Sequence, residues 1–271
     1  MKILLKTRHE LQAAGRWDID FHLPAEGIKI FPKSLLKRVD EVADIGKDKR
    51  DPTREPDAVF QYIDISSVDV SVGTIANPQD VEGAEAPSRA RKVVRAFDIV
   101  VSTCRPTRGA IAVVPITLHD QIASTGFSIV RAKAGVNPFY LHYALRLPST
   151  LEQFRKWSTG SSYPAILDTD VKKTLIPVPD EQTQDEIAAK VVEALHERAE
   201  AIARANNQWS STLDAITASL CGKDVPHSEI PTALDTGPVV YSLAEVREVL
   251  EGLPPLHLDN RNEAEDLLSE L

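Results

Sequence analysis

Apolar and polar positions along the chain divide it into a mixed first part and a long helical second part. Ser34 to Ile45 (SLLKRVDEVADI) places Leu35, Leu36, Val39, Val42 and Ala43 at helical spacing behind Ser34 as an N-cap, which predicts a helix there. Residues 1–34, with RWDIDFHLP, read as an irregular lead-in arm. GKDKRDPTREPD is a charged loop punctuated by Pro52 and Pro56. AVFQYIDISSVDV, RKVVRAFDIVVST, AIAVVPI and STGFSIVRA then read as short strands, separated by polar turns carrying Pro78, Gly83 and Pro87. NPFYLHYALRLPSTLEQFRKWST reads as two helices. Asn137 caps the first, Pro138 fits its first turn, Pro148 divides the pair and Gly160 ends the second. LIPVP is a strand closed by prolines.

From about Asp180 to Leu220 the spacing changes to alternating steps of four and three. Ala188, Val192, Leu195, Ala199, Ile202, Asn206, Trp209, Leu213, Ile216 and Leu220 form a heptad seam with one polar member, Asn206. Such a helix would be about 60 Å long at roughly 1.5 Å per residue, longer than a small domain is wide. The expected pairing surface is Val192, Leu195, Ile202, Asn206, Trp209, Leu213, Ile216 and Leu220. Packing on the helix's own domain is the other way to use the stripe. DVPHSEIPTALDTGP then reads as a Pro-containing acidic linker. Ser242 to Glu245 opens a short helix to about Leu253 with a capping-box sequence, Pro254-Pro255 stops it, and NEAEDLLSEL is an acidic end. The expected architecture is an α/β (α+β) domain over 1–179, a long coiled-coil helix over 180–221, and an acidic linker with a short helical tail over 222–271.

Composition sharpens this picture. At 42% hydrophobic, 271 residues can build a sizeable core. No apolar run approaches the roughly 18 residues of a membrane span, and MKILLKTRHE is too short for a signal-peptide core, so a cytoplasmic location is expected. Cys104 and Cys221 make neither a disulfide framework nor a thiolate zinc site, and the seven histidines show no metal-ligand spacing; no metal and no cofactor are assigned. The net charge of −9 is unevenly spread: residues 1–180 sum to +3 and residues 181–271 to −12. A basic middle with an acidic end predicts two surfaces for two kinds of partner.

Catalytic motifs are absent. There is no G-x-x-x-x-G-K-[ST] or G-x-G-x-x-G, and neither Asn77-Pro78 nor Asn137-Pro138 continues to the second proline of an amino-methyltransferase tetrapeptide. Asp168, Asp170 and Lys172 give a D-x-D-x-K string without a partner carboxylate on a separate strand, so Asp168 reads as a helix cap or turn residue. Asp18 and Asp20 carry the same bland reading. Ser161 and Ser162 are not in G-x-S-x-G. The pattern is that of a chain that recognises something rather than one that makes or breaks bonds.

What it carries instead is basic loops. Arg89, Arg91, Lys92 and Arg95 precede one strand; Thr103, Arg105, Thr107 and Arg108 follow it; Arg155, Lys156 and Trp157 precede TGSSYPAI, with Lys172 and Lys173 after it. Arginines in loops with Ser and Thr hydroxyls suit phosphate and guanine contacts. The order of these pieces is also familiar. FDIVVSTCRPTRGAIAVV, ASTGFSIVR, NPFYLHYALR and TGSSYPAILDTDVKKTLIPVPDEQTQDEIA resemble, over about residues 16–220, the specificity subunits of type I restriction-modification enzymes. The matching positions are Asp98, Ser102, Thr103, Arg105, Ser124, Thr125, Gly126, Thr159 to Ile166, Ile176, Pro177, Pro179, Glu181, Gln182 and Ile187. The resemblance implies a target recognition domain, a spacer helix and no catalysis of its own. It implies as partners double-stranded DNA, an adenine methyltransferase subunit and a restriction or translocase subunit. Family members carry two recognition domains and two spacer helices; with one of each, this chain looks like a half subunit that pairs, with itself or a second half, through the long helix. The expected DNA contacts are Arg89, Arg91, Lys92, Thr103, Arg105, Arg108, Lys156, Ser161, Ser162, Tyr163 and Lys172, with the two serines facing phosphate and Tyr163 anchoring its loop on the core. The acidic tail matches nothing in the family. The alternative is a protein–protein adaptor of a phage-defence complex that keeps the fold without reading bases.

Overall fold

The computed structural model describes residues 4–17, 19–160, 162–221 and 240–259. Among the described residues, twelve short strands and eight α-helices follow one another. The strands are β1 (Leu36–Arg38), β2 (Ala43–Ile45), β3 (Val59–Ile63), β4 (Val68–Asp69), β5 (Thr74–Ile75), β6 (Gln79–Glu82), β7 (Ala90–Val93), β8 (Ile99–Ser102), β9 (Ile111–Val113), β10 (Ile122–Ser124), β11 (Phe127–Ala132) and β12 (Leu175–Pro177). The helices are α1 (Arg8–Ala14), α2 (Ile19–His22), α3 (Val39–Val42), α4 (Pro138–Leu145), α5 (Pro148–Trp157), α6 (Asp168–Lys173), α7 (Glu181–Cys221) and α8 (Leu243–Gly252). The strands form a six-stranded sheet in the order β2-β11-β8-β9-β5-β4, a four-stranded sheet β6-β3-β10-β7 and a ribbon β1-β12.

The six-stranded sheet is the middle layer, which explains why β8 is buried at every residue. Alternate side chains point to opposite faces. Ile99 and Val101 join Ile111, Val130, Leu141, Leu145 and Phe154 in the core beneath α4 and α5. Val100 joins Ala112, Ile129, Phe127, Ile63 and Ala123 in the core shared with the four-stranded sheet. One buried ion pair sits in this middle layer: Asp98, 1% exposed, receives Arg131 Nε at 2.9 Å and Nη2 at 2.8 Å.

The two helices foreseen after Asn137 form as expected. Asn137 Oδ1 accepts from Phe139 N at 2.9 Å and Tyr140 N at 3.2 Å, Pro138 occupies the first turn, and Pro148 starts the second helix. The long helix runs Glu181–Cys221, and the Ser242 capping box closes with Glu245.

Two local expectations fail. Ser34 to Ile45 is not one helix: β1 pairs antiparallel with β12, a single helical turn follows, and β2 joins the edge of the six-stranded sheet on β11. The apolar set at helical spacing was real, but pairing with two separate strands outweighs the local preference. The lead-in arm is also more ordered than expected, since Thr7 and Glu10 make a reciprocal capping box on α1.

The described part of the tail, residues 240–259, folds back; the acidic linker after Cys221 and the acidic end lie outside the described residues. Val240 and Val246 pack with Ala96 and Phe97, and Phe139, Leu250 and Leu253 lie against them. Beyond α8 the chain reaches across the domain, where His257 N donates to Asp120 Oδ1 at 2.8 Å and Asp259 Oδ2 accepts from Asp51 N at 2.9 Å. Asn137 ties three elements together: its Nδ2 donates to Asp185 Oδ1 on α7 and to the Tyr241 carbonyl, both at 2.7 Å. Among the described residues no helix is long and apolar enough to cross a membrane.

Candidate nucleic-acid interface

Backbone hydrogen bonds gather the Ser/Thr/Gly motifs into one loop cluster. Thr103 N and its Oγ1 both donate to the Gly126 carbonyl at 2.8 Å. Ile166 N donates to Thr103 O at 2.9 Å and Arg105 N to Pro164 O at 2.7 Å. Thr125 N donates to Arg89 O at 2.8 Å, bringing in the loop before β7. The S-T-C-R, S-T-G and T-G-S-S-Y-P motifs, scattered over some 60 positions of sequence, are neighbours in space. Thr159 and Ala165 exchange two hydrogen bonds of 2.9 Å, closing the last loop on itself. Gly160 makes that closure possible: its φ is 93°, and a Cβ there would stand 2.9 Å from the Tyr163 carbonyl oxygen.

The expected DNA-contacting residues separate into two groups. Arg89, Arg108 and Ser162 are exposed, Lys172 is half-buried on α6, and Arg105 stands over the ring of Tyr163 at 4.8 Å from its centroid. Tyr163 is 76% exposed, so it does not anchor the loop on the core; its ring is a platform at the surface. The second group is engaged inside the fold. Lys156, 7% exposed, donates to the Asp20 and Leu23 carbonyls at 2.7 and 2.9 Å and holds the N-terminal arm down. Lys92 donates to the Phe127 carbonyl at 2.6 Å and lies 4.0 Å from Asp168; burial lowers its pKa against the pull of that carboxylate. Arg91 bonds the Ala90 carbonyl at 2.7 Å and pairs with Asp51 at 3.4 Å. Thr103 is half-buried, its hydroxyl given to Gly126. Ser161 and Asp18 lie outside the described residues.

Two exposed lysines that the motif reading passed over belong near this surface. Lys47 and Lys49 sit in the charged loop that runs alongside β7, where Lys49 bridges to Lys92 and Arg50 N donates to Arg91 O at 3.1 Å. The signal was the basic string GKDKR itself.

The acidic string supplies no cluster. Asp170 accepts from Leu167 N at 2.8 Å and Lys173 Nζ at 2.6 Å, making it, and not Asp168, the residue that closes the start of α6. Asp20 is committed to Arg155 at 2.7 Å, and that hydrogen bond holds its pKa below the usual carboxylate range. Among the described residues no group of three His, Cys, Asp or Glu is placed to hold a metal ion.

The heptad seam divides likewise. Ala188 is buried, while Val192 and Leu195 are half-buried and line an apolar groove with Ile75, Val113, Phe139 and Val240 of the chain's own domain. Further along, Ile202, Asn206, Trp209, Leu213, Ile216 and Leu220 are exposed, Trp209 at 64% and Leu220 at 82%.

No known family's sequence profile matches the chain. The type I restriction enzyme HindI specificity subunit of Haemophilus influenzae is 28% identical over 149 residues, covering 54% of this chain and 30% of that protein. A chain from a structure addressing complex assembly and conformational transition of the type I R-M system is 38% identical, with a TM-score of 0.54. The HsdS subunit from Thermoanaerobacter tengcongensis is 36% identical, with a TM-score of 0.53. The chain is similar to type I specificity subunits. Each of those two structural matches covers 72% of this chain and 51% of the other, so it spans about half the length of the solved specificity-subunit relatives. As in the architecture expected of a specificity subunit, mixed α/β sheets are followed by one long helix.

Proposed function

We propose that this chain is a non-catalytic subunit that recognises a specific duplex DNA sequence and directs an adenine methyltransferase to it, within a type I-like restriction-modification or related defence system. A restriction or translocase subunit would join the same assembly. The observation that carries the reading is the loop cluster: three motif-bearing loops are hydrogen-bonded together, and they present Arg89, Arg105, Arg108, Ser162 and Tyr163 at the surface. Cations and hydroxyls on rigidly joined loops are what phosphate tracking and base-edge contacts require.

The outer half of α7 supports the second part of the proposal. A stripe of exposed Ile202, Trp209, Leu213, Ile216 and Leu220 at heptad spacing suits a second helix. A second copy of this chain, or a second half of different specificity, would then present two recognition domains and read a site in two parts.

The test is selection from a random duplex library by the full chain together with the adenine methyltransferase of its system. Enrichment of a two-part motif with a fixed gap supports the reading. Complex formation that enriches no sequence overturns it in favour of a protein–protein adaptor.

A further inference from the structure

We propose that Arg105, whose guanidinium lies over the Tyr163 ring, reads a guanine of the target duplex, and that Tyr163 is its positioning residue. The inference rests on the DNA-recognition reading above and adds which residue does the reading and which base it selects.

Three observations converge on Arg105. Its backbone lies at φ 48° and ψ 52°, the left-handed region that favours glycine. Among the described residues only Phe97 and Asp120 share a positive φ without being glycine. The strain is held in place from both sides: Arg105 N donates to Pro164 O at 2.7 Å, Arg108 N donates to Arg105 O at 3.0 Å, and Ser102 Oγ fixes the preceding carbonyl, that of Cys104, at 2.8 Å. Strain of this kind clusters where a side chain must be aimed.

The second observation is what the guanidinium does not do. Other arginines of the domain are committed: Arg131 to Asp98 and Asp48, Arg146 to four carbonyls, Arg50 to Asp120, Arg155 to Glu152 and Asp20. Arg105 makes a ring contact and, among the described residues, no side-chain hydrogen bond. Its face is occupied and its fork of N–H donors is open.

The third is the platform. The Tyr163 ring, on a residue that is itself 76% exposed, covers one side of the guanidinium at 4.8 Å and so restricts how it can turn, while Arg105 stays only half-buried. A phosphate accepts from any nearby cation and needs no fixed plane. The paired acceptors O6 and N7 of guanine do need one, because both bonds must form in the plane of the base. A fork whose rotation is already restricted loses less freedom on binding. Arg89, Arg108 and Ser162, which lack such a platform, suit the phosphates on either side.

The library selection above, repeated with variants of the full chain, tests this. Arg105→Gly suits the left-handed backbone and should fold at least as well as the wild type. It should lose the guanine preference at one position, by roughly 5- to 100-fold in discrimination, with the other positions unchanged. Arg105→Lys should recover only part of that preference, because an ammonium can reach O6 and N7 but lacks the planar fork and its aromatic platform. Tyr163→Phe should keep it, and Tyr163→Ala should weaken it at the same position only. If Arg105→Gly still selects the same guanine, or if it lowers affinity equally for every sequence, Arg105 is a phosphate contact or a loop staple and the inference is overturned. A wild type that selects no sequence at all overturns the recognition reading itself, a different and separately visible result.

Discussion

Lys92 and Lys156 on one side, and Arg105 and Arg108 on the other, look alike as members of basic stretches. The fold treats them oppositely. Lys156 is enclosed and clamps two carbonyls of the N-terminal arm, and Lys92 reaches under β11 to the Phe127 carbonyl. Arg108 is exposed and Arg105 keeps its donors open. The lesson is that a basic patch counted along a chain overstates the charge available to a ligand. What separates the groups is where the backbone runs: lysines on a strand or helix interior meet carbonyls, whereas arginines in a loop cluster meet solvent.

The largest effect that sharpens this contrast is expected on the engaged side. Arg131→Ala strips Asp98 of its guanidinium partner and leaves the buried carboxylate with the Arg95 N–H at 2.9 Å. Stability should fall by about 3–5 kcal/mol in urea unfolding.

His142, fully buried in α4, comes next. Burial pushes its pKa down to about 4 from the usual 6.5, with the Arg146 charge adding to the effect. Below pH 6.5 the unfolded chain takes up a proton that the folded chain refuses until about pH 4. Stability from this group is therefore complete above pH 6.5 and declines as pH falls toward 4, by at most about 1.4 kcal/mol per pH unit. His142→Leu should flatten that part of the pH–stability curve relative to wild type.

Lys156→Met leaves the Asp20 and Leu23 carbonyls without their donor. A loss of about 1–3 kcal/mol is expected in thermal melts, with the selected DNA sequence unchanged. The smallest effect belongs to the free side: Arg89→Ala and Arg108→Ala should leave the melting temperature in place and each lower the slope of log affinity against log salt by about 1. A large loss of stability in either would break the contrast.

Much of this was legible in sequence where a local rule had no competitor. The Asn137-Pro138 cap, the Pro148 break, the α7 boundaries and the Ser242 capping box all follow from neighbours in the chain. The Ser34–Ile45 segment did not, because its strands are decided by β12 and β11, the former some 140 residues away. The site was half legible. Motif order pointed to the right loops, but which cations are free depends on carbonyls contributed by distant elements. Tyr163 shows the limit: it was expected to anchor its loop on the core, and only its 76% exposure and the Arg105 contact reveal it as a surface platform. The heptad seam carried the same ambiguity, since Val192 and Leu195 have the same spacing as Leu213 and Leu220 but are half-buried along a groove of the domain where the latter are exposed.

The most direct measurement compares affinity for the selected duplex with affinity for a scrambled duplex of equal length. It is made with the full chain and its methyltransferase, once for wild type and once for the triple variant Arg89→Ala, Arg105→Gly, Arg108→Ala. The account predicts a strong preference in the wild type that falls by roughly 5- to 100-fold in the triple variant, the share of one guanine, with weaker binding to both duplexes and an unchanged melting temperature. An undiminished preference in the triple variant would contradict it.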